Sequence, residues 1–353
     1  MFEKAAWIRL PRHVVVGHDV LAEVPAVIDD LGLTGRAVIV TSPTPRSIAA
    51  DRIVEAMTAA GLDEPGVVVV EEASYESIEA VREAAASASY LIGVGGGKPI
   101  DIAKLASGEL DIAFVSVPTA ASHDGIVSGR ASIPDGDMRH SVAADPPLGV
   151  VADTSVLAEA PWELTTAGCA DIISNYTAVT DWRLANRLRD VEYSEYAAAL
   201  SEMTAEMLVD NADSIRPGLE ESAWIVVKAL VSSGVAMSIA GSSRPASGAE
   251  HLISHRLDQL VPGAALHGHQ VGVAAIAVAY LQTGDEAADW RRIRDALASL
   301  DAPTTVEDLG IEAETFIAAM TSAHEIRDRY TILGNGITEE AARQAAVVTG
   351  VIE

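Results

Sequence analysis

The sequence is poor in basic residues, and above all in lysine. Its 353 residues include 24 lysines and arginines against 51 aspartates and glutamates, a formal net charge of −27. Only Lys4, Lys98, Lys104 and Lys228 are lysines. Such a surface repels phosphate backbones and anionic membranes, which argues against a nucleic-acid partner. It is typical of proteins from salt-loving organisms, where salt screens the self-repulsion to within ~3 Å at 1 M.

Cysteine and uninterrupted apolar runs are also scarce. The single cysteine, Cys169, excludes an internal disulfide framework and fits a reducing compartment. The N-terminal stretch lacks the basic, apolar and small-residue pattern of a signal peptide. The most apolar run, Trp224 to Gly241, contains Lys228 and several serines, which favours a buried helix of a large helical domain over a membrane span. We therefore expect a cytoplasmic protein without membrane insertion.

The chain has two parts with different hydrophobic patterns. Up to about Val151, short β-branched runs alternate with amphipathic helical patterns, which indicates a parallel, doubly wound sheet. The runs are HVVVG, AVIVTS, GVVVV, YLIGVGGG and IAFVSVPT. From Trp162 onward the chain consists of helical patterns rich in Ala and Leu. The sequence thus predicts a Rossmann-like α/β domain over residues 1–160 and an all-α domain over residues 161–353.

A glycine turn follows the fourth expected strand. Gly95, Gly96 and Gly97 precede a helix with Pro99 near its first turn. Glycines let the backbone approach an anion closely, and the free amides at a helix start favour a pyrophosphate. The turn does not follow the first strand, where the G-x-G-x-x-G fingerprint belongs, so a plain tight turn is the alternative.

A second polar loop, VPTAASHDGIVS, follows the next expected strand. It brings hydroxyl groups, an imidazole and the carboxylate of Asp124 to the carboxyl end of a parallel strand, where open α/β sheets bind ligands. Serine, aspartate and glycine are also common in ordinary solvated loops, which is the alternative interpretation.

Four of the nine histidines lie in one short stretch, SGAEHLISHRLDQLVPGAALHGHQ. His251 and His255 are four residues apart and would share one face of a helix. His267 and His269 follow the Pro-Gly break, ahead of a second helix expected from about Gln270. Imidazoles converging from two helices would suit zinc, iron, nickel or copper. Scattered surface or capping histidines are the alternative.

The motifs GVGGGKPIDIAK, VPTAASHDG, AGCADIISN and the paired histidines together resemble the family of iron-containing alcohol dehydrogenases, glycerol dehydrogenases and dehydroquinate synthases. The resemblance covers nearly the whole chain in the right order and implies the dehydroquinate synthase-like fold. The motifs are most similar to archaeal members that reduce dihydroxyacetone phosphate with NAD(P)H for membrane-lipid synthesis. Alternatives are a polyol dehydrogenase of the same fold, a dehydroquinate synthase-like lyase and a non-catalytic nucleotide- or metal-binding protein.

The resemblance also implies roles for individual residues. Asp171, His251 and His267 would bind one metal ion per subunit, zinc rather than iron. His255 and Asp124 would be catalytic and, with Asp171, would contact the substrate, whereas His269 receives no role. The residues expected to bind the dinucleotide are Gly95, Gly96, Gly97, Lys98, Pro99, Ile100, Asp101, Thr119, Ala120, Ala121, Ser122 and Ser128.

Three further expectations concern ligands and assembly. The phosphate of the substrate needs cations, for which Lys98, Arg130, Arg327 and Arg329 are the candidates. The segment after the second strand has no carboxylate to hold a ribose 2′-hydroxyl but does contain Arg46, so NADPH is expected to serve as well as NADH. The apolar helical domain leaves room for a homo-oligomer.

The charge imbalance makes a direct prediction about stability. Because salt screens repulsion among the acidic groups, the melting temperature should rise steeply from low to molar KCl. A thermal unfolding series across that range measures it, and a flat response would contradict the halophilic interpretation.

Overall fold

The structure is a computed structural model that describes residues 7–135, 138–287 and 289–353. The chain divides into two compact units. The first joins residues 7–135 to the segments His140–Pro161 and Pro217–Gly241. The second contains the described residues of Trp162–Arg216 and Ser242–Glu353, together with residues 138–139.

The strands are short and the helices are numerous. The strands are β1 His13–Gly17, β2 Ala37–Thr41, β3 Gly66–Val69, β4 Tyr90–Gly95, β5 Ala113–Pro118, β6 Arg130–Asp135, β7 Met138–Ala143 and β8 Gly149–Asp153. The α-helices are α1 Val24–Asp30, α2 Pro43–Pro45, α3 Asp51–Ala59, α4 Tyr75–Ala84, α5 Gly97–Leu110, α6 Thr154–Ala158, α7 Trp162–Ile173, α8 Asn175–Arg189, α9 Glu195–Asp210, α10 Glu220–Ala240, α11 Ala249–Leu260, α12 His267–Thr283, α13 Asp289–Ser299, α14 Ala313–Ser322 and α15 Glu339–Val348. A π-helical turn spans Arg46–Ala50, and short 3₁₀ turns include Val20–Glu23 and Asp124–Ile126.

The first unit is built on a six-stranded sheet in the order β1-β8-β5-β4-β2-β3, with every pairing parallel. Its central strands β2 and β4 are buried along their whole length, which explains their nearly unbroken apolar sequences. Helices α1 and α3 supply Ile28, Ile53 and Met57 to the core beneath these strands. The expected parallel α/β layer is confirmed.

The sheet has a topological switch point between β2 and β4. These strands are neighbours, but β3 continues from β2 toward one edge, whereas β5 continues from β4 toward the other. Open α/β sheets bind ligands at the carboxyl ends of the strands around such a point. The glycine turn after β4 and the Thr41–Arg46 segment after β2 both lie there.

The second unit is helical. Its central helix is α12, in which every residue from Gly268 to Ala279 is buried. Helices α7 and α11 pack against it, and α13 covers another side. A helix with so little polar surface is stable only when neighbours surround it, so the apolar run after Gln270 explains why this helix lies at the centre of the unit.

Some elements differ from the sequence-based expectations. The apolar run at 224–241 forms α10, which belongs to the first unit and not to the continuous helical domain 161–353. Strand β8 and the β6-β7 hairpin were not anticipated, and α12 begins at His267, three residues before the expected start. Among the described residues, α10 is the one helix long and apolar enough to cross a membrane. Half of its most apolar window is buried, as in a core helix.

Candidate metal centre and cofactor loops

Three side chains of the second unit converge on one point. Asp171 on α7, His251 on α11 and His267 on α12 each offer a ligand atom, and these atoms lie within 4.8 Å of one another. His251 Nε2 and Asp171 Oδ1 lie 3.4 Å apart. Asp171 and His251 are buried, and His267 is half-buried. The structure thus brings together the three residues expected to bind metal.

Gly268 permits this convergence. A Cβ atom at residue 268 would lie 2.0 Å from the carbonyl oxygen of Ala167 on α7, far inside van der Waals contact. Only glycine therefore lets the start of α12 approach α7 so closely. Asp171 lies one helical turn beyond Ala167 and His267 immediately precedes Gly268, so this close approach delivers both side chains to the cluster.

Glu250 orients His251 through the ring nitrogen Nδ1, which faces away from Asp171. Its Oε1 lies 2.9 Å from His251 Nδ1, while its carboxylate also accepts hydrogen bonds from Gly248 N and, at 2.7 Å, from Thr177 Oγ1. With Nδ1–H donated to Glu250, the Nε2 atom of His251 turns toward Asp171. Burial lowers the pKa of His251, but hydrogen bonds to Asp171 and Glu250 outweigh it and raise the pKa to about 9. The surroundings thus stabilise positive charge.

A second hydrogen-bond chain orients His267. Ser254 Oγ donates to Gln270 Oε1 at 2.7 Å, and Gln270 Nε2 donates to Asp258 Oδ1 at 3.2 Å. The Ser254 hydroxyl has one proton, so it accepts from His267 Nδ1, 2.9 Å away. With Nδ1–H donated to Ser254, Nε2 is the ring nitrogen of His267 that remains for a metal ion.

His255 lies beside the three convergent residues. Its ring stacks on that of His267 with 5.6 Å between centroids and 22° between planes, whereas His251 meets His267 edge-on at 5.2 Å. Its Nδ1 atom is buried without a hydrogen-bond partner. Burial is the main cause that holds the pKa of His255 well below its ordinary value, and the nearby groups His267, Arg327, His251 and Arg329 lower this pKa further. The ring is therefore neutral at physiological pH.

His269 is separate from the cluster. It is buried, and its Nε2 lies 2.8 Å from Thr166 Oγ1 on α7. Burial lowers its pKa to about 4. His269, for which the sequence indicates no role, is thus a neutral histidine that joins α12 to α7.

The donor set fits a divalent metal ion. One carboxylate and two imidazoles with available Nε2 atoms are the combination that zinc and related ions accept, with a further position left for a ligand. Asp171 and Glu250 place two carboxylates around His251, so positive charge at this point is favoured whether a proton or a metal ion carries it. A metal would displace the proton, which couples its binding to pH.

The glycine turn of the first unit also adopts the expected position. Gly95 ends β4, and its carbonyl oxygen accepts a 2.9 Å hydrogen bond from Thr119 N after β5, so the two loops are joined. A Cβ atom at Gly97 would lie 2.0 Å from His123 Nε2. Gly96 caps the 14-residue helix α5 without a side-chain hydrogen bond, which leaves its first amides to the backbone and to any ligand. These features fit a pyrophosphate.

A buried ion pair between Lys104 and Asp101 holds the start of α5 against the loop that follows β5. Lys104 Nζ lies 3.3 Å from Asp101 Oδ1, donates to Gly125 O at 2.6 Å and also donates to Arg130 O. Asp101 Oδ2 accepts from Ser132 N at 3.0 Å. Both oxygens of the Asp101 carboxylate are therefore engaged within the protein. Removing either partner would leave a buried charge unpaired, at a cost of roughly 3–5 kcal/mol.

Asp124 and Ser128 lie on the loop that Lys104 fixes. Asp124 Oδ2 accepts a 2.9 Å hydrogen bond from Ser233 Oγ on α10. Ser128 is fully buried, and its hydroxyl has no hydrogen-bond partner. Of the remaining expected cofactor residues, Pro99, Ile100, Thr119, Ala120 and Ala121 are buried, Ser122 is half-buried and Lys98 is exposed.

The relatives of the chain decide its family. The family described as iron-containing alcohol dehydrogenase matches residues 15–161. Over 354 residues and the whole of both chains, the sequence is 69% identical to glycerol-1-phosphate dehydrogenase (NAD(P)+) of Natronomonas pharaonis. The chain belongs to the glycerol-1-phosphate dehydrogenase family. Members of the same name are 68% identical over all of both chains in Halobacterium salinarum, and 54% identical over 97% of this chain and 94% of the relative in Methanoculleus marisnigri.

Solved structures agree on the fold. A probable glycerol dehydrogenase from Sinorhizobium meliloti superposes with a TM-score of 0.80 at 22% identity, over 98% of each chain. A sulfoacetaldehyde reductase from Bifidobacterium kashiwanohense, in complex with NAD+, gives 0.76 at 15% identity, over 99% of this chain and 100% of the other. The expected Rossmann-like and helical architecture is confirmed. The salt-loving source expected from the composition also fits the halophilic relatives of the family.

Several residues of this family member were missed by the sequence analysis. Glu250, Ser254 and Gln270 orient the two histidines, and each is adjacent to a histidine or one turn from it in the motifs SGAEH, LISH and HGHQ. That adjacency to a histidine could have identified these residues from the sequence. No such local pattern marks Asp181, because its partners come from distant parts of the chain: Ala249 N, Gln282 Nε2 and Ile332 N.

Asp181 generates a prediction on pH. Burial, followed by the negative charge of Glu250, raises its pKa from 3.8 to about 7. The folded state therefore binds this proton more tightly than the unfolded state, and the resulting stability, present below about pH 4, is lost as the pH rises through about 7. The shift corresponds to at most about 4 kcal/mol.

We expect Asp181→Asn to remove this contribution to the pH dependence of the free energy of unfolding, because asparagine does not titrate. Chemical unfolding of both proteins at several pH values and one KCl concentration measures the free energy of unfolding. An equally steep fall between pH 4 and 7 in the variant would contradict the assignment.

Proposed function

We propose that the chain reduces dihydroxyacetone phosphate to sn-glycerol 1-phosphate with NAD(P)H, the reaction that provides the backbone of archaeal membrane phospholipids. The observation that carries this proposal is the buried convergence of Asp171, His251 and His267 in a chain that is 69% identical throughout to a glycerol-1-phosphate dehydrogenase (NAD(P)+). This makes the protein an NAD(P)-dependent oxidoreductase.

Asp171, His251 and His267 would hold the metal ion. The tautomer assigned to each histidine leaves Nε2 as the ligand atom, and Glu250 and Ser254 keep the rings in place. Zinc is our choice, since a carboxylate and two imidazoles with an open position are typical of catalytic zinc sites. When bound, the metal polarises the ketone carbonyl and the nicotinamide provides the hydride.

The switch-point loops would hold the dinucleotide. The turn Gly95–Gly97 with the first amides of α5 suits the pyrophosphate, and Thr119–Ser122 with Ser128 would line the nicotinamide side. Arg46 lies exposed after β2, with its Nε 3.5 Å from Asp51 Oδ1. An arginine at this position can pair with a 2′-phosphate, so either NADH or NADPH would be accepted, as the names of the relatives also indicate.

His255 would contact the substrate and would donate or relay the proton that the alkoxide oxygen of the product requires. A neutral imidazole can receive a proton on one nitrogen and give one from the other, which suits a relay. The stacking on His267 fixes the ring, and its buried, unpartnered Nδ1 is available for a hydrogen bond. Asp124, whose Oδ2 accepts a hydrogen bond from Ser233, would also contact the substrate, as the family resemblance implies.

The central test is NAD(P)H oxidation by the purified protein with dihydroxyacetone phosphate in high salt. We expect turnover with both cofactors, loss of activity after chelation, recovery with Zn²⁺, and a product that is the 1-phosphate enantiomer by chiral analysis.

Two outcomes would overturn the proposal. Formation of the 3-phosphate enantiomer would contradict the stereochemical assignment. Activity with glycerol or dihydroxyacetone and none with the phosphate esters would instead identify a polyol dehydrogenase of the same fold.

Glu250→Gln and His255→Ala should separate metal binding from proton transfer. Because glutamine holds His251 without a negative charge, Glu250→Gln should weaken Zn²⁺ binding about 10- to 100-fold. His255→Ala should retain the metal and lower kcat about 100-fold or more, since proton transfer by a positioned group contributes about that much. Chelator competition and steady-state kinetics on the same preparations measure both.

His269→Ala is a matched control, because it removes a buried neighbouring histidine that lies outside the cluster. It should lower stability without the selective loss of metal affinity or kcat. Metal loss in His255→Ala would mean that His255 supports the ligands and does not transfer the proton.

Cytoplasmic location and self-association remain predictions. Self-association is supported by exposed apolar side chains on α9, where Tyr196 is 84% and Met207 60% exposed.

A further inference from the structure

The imidazole of the VPTAASHDG motif belongs to His123, which packs against two glycines of the first unit. A Cβ atom at Gly97 would lie 2.0 Å from His123 Nε2, and one at Gly125 would lie 2.4 Å from both Nδ1 and Cε1. The ring therefore occupies the space that a side chain at either position would need. Glycine at both positions lets the ring lie between the start of α5 and the 3₁₀ turn Asp124–Ile126.

One nitrogen of this ring is engaged by the backbone. Gly125 N donates to His123 Nδ1 at 2.9 Å, so the side chain caps the 3₁₀ turn. A backbone N–H only donates, which makes Nδ1 the acceptor and places the proton of the neutral ring on Nε2. Within the described part of the chain, Gly125 is the one residue that forms a hydrogen bond with the imidazole. The Nε2–H group is thus a fixed donor with no acceptor among the described residues.

The Nε2–H group lies at the amino-terminal end of α5. Gly97 is the first residue of this helix, and the Cα–Cβ bond of a helical residue tilts toward the N-terminus. An atom close to the Cβ position of Gly97 therefore lies beside the first amides of α5, which no side chain caps. His123 is half-buried, so the ring remains accessible to a ligand.

An anion at the glycine turn would supply the missing acceptor. The carboxylate in the first turns of α5, that of Asp101, is already engaged with Lys104 and with Ser132 N. A phosphate oxygen accepts shorter and stronger hydrogen bonds than a neutral oxygen does. Backbone amides and an imidazole N–H that lie side by side can therefore act together on one pyrophosphate.

We propose that His123 binds the dinucleotide through its pyrophosphate, with Nε2–H donating to a phosphate oxygen beside the first amides of α5. The inference rests on the proposed assignment of the turn Gly95–Gly97 to the cofactor and adds a side-chain donor to that site. Nδ1 fixes the loop after β5, and Nε2 contacts the ligand held by the loop after β4.

Two amide substitutions separate the roles of the two ring nitrogens. Asparagine at residue 123 places an oxygen near the Nδ1 position and can still cap the turn, but it is too short to reach Gly97. Glutamine is longer and can place its NH₂ group near the Nε2 position. The pair therefore distinguishes loss of the cap from loss of the donor.

The first measurement is equilibrium binding of NADH, followed by its fluorescence at one KCl concentration. We expect His123→Asn to raise the dissociation constant about 10- to 100-fold, which is the ratio expected for one hydrogen bond to a charged group. His123→Gln should remain within about threefold of the parent. Equal affinity of the parent and His123→Asn would make His123 a cap only and would overturn the proposal.

Adenosine diphosphate identifies the group that His123 contacts, because it contains the diphosphate and lacks the nicotinamide. It should displace NADH from the parent, and His123→Asn should weaken its binding by about the same factor as that of NADH. Failure to displace NADH from the parent, or a loss confined to NADH, would refute the contact with the pyrophosphate.

His18→Asn is the matched control. His18 is an exposed histidine of the first unit, and its Nδ1 lies 2.9 Å from Glu220 Oε1, so the same exchange is made outside the cofactor loops. The affinities for NADH and for adenosine diphosphate should not change. Circular dichroism and the melting temperature show whether each variant is folded.

The nucleotide titrations need no turnover, so they separate this proposal from the proposed function. If the parent does not reduce dihydroxyacetone phosphate, the proposed function fails, and the titrations still decide the role of His123. If the parent reduces it, His123→Asn should keep KM for the ketone within about threefold at saturating NADH. A raised KM for the ketone with unchanged nucleotide affinity would place His123 at the substrate and would overturn the proposal alone.

Discussion

The second unit depends on how buried negative charge is balanced around His251. Asp171 and Glu250 lie on opposite sides of this imidazole, and both are buried. Two carboxylates in the interior are tolerated only when hydrogen-bond donors and positive charge compensate them. Gly248 N and Thr177 supply donors for Glu250, and the imidazole supplies the charge. The requirements of stability and of cation binding therefore coincide at this point.

In the first unit, Lys104 has a comparable role with the opposite sign. Its buried ammonium joins Asp101 on α5 to the carbonyl oxygens of Gly125 and Arg130. A lysine in a chain with only four is thus placed where a compact charge can hold three backbone segments together. Because these segments include the start of α5 and the loop of Asp124, the ion pair sets the spacing between the two loops assigned to ligand binding.

Much of the fold could be predicted from local sequence. The β-branched runs identify β1 to β5, and β2 and β4 are apolar throughout because they are buried along their whole length. The turn after β4 is visible as three consecutive glycines. Strand β8 follows a proline pair and contains only two β-branched residues, and the β6-β7 hairpin has a polar, irregular sequence, so neither was recognised. The placement of α10 with the sheet depends on long-range packing, which periodicity does not encode.

The site was predictable to a different extent. Crowded histidines revealed a centre, and the family resemblance separated His251 and His267 from His255. The orienting contacts were not predictable, since the hydrogen bond between His267 and Ser254 depends on how α12 packs against α11. The role of His269 likewise follows from its proximity to Thr166, a residue more than a hundred positions away.

The return of α10 to the first unit constrains how the chain can fold. During synthesis the sheet strands emerge first and the segment Trp162–Arg216 of the other unit follows. Only afterwards does α10 emerge, whose Ser233 donates a hydrogen bond to Asp124. The first unit therefore cannot reach its final packing before residue 241 has left the ribosome, and helices α7 to α9 must wait for α11 and α12. Folding of each unit therefore depends on segments that are synthesised after parts of the other unit. Neither unit corresponds to a single continuous stretch that could be excised and expressed alone.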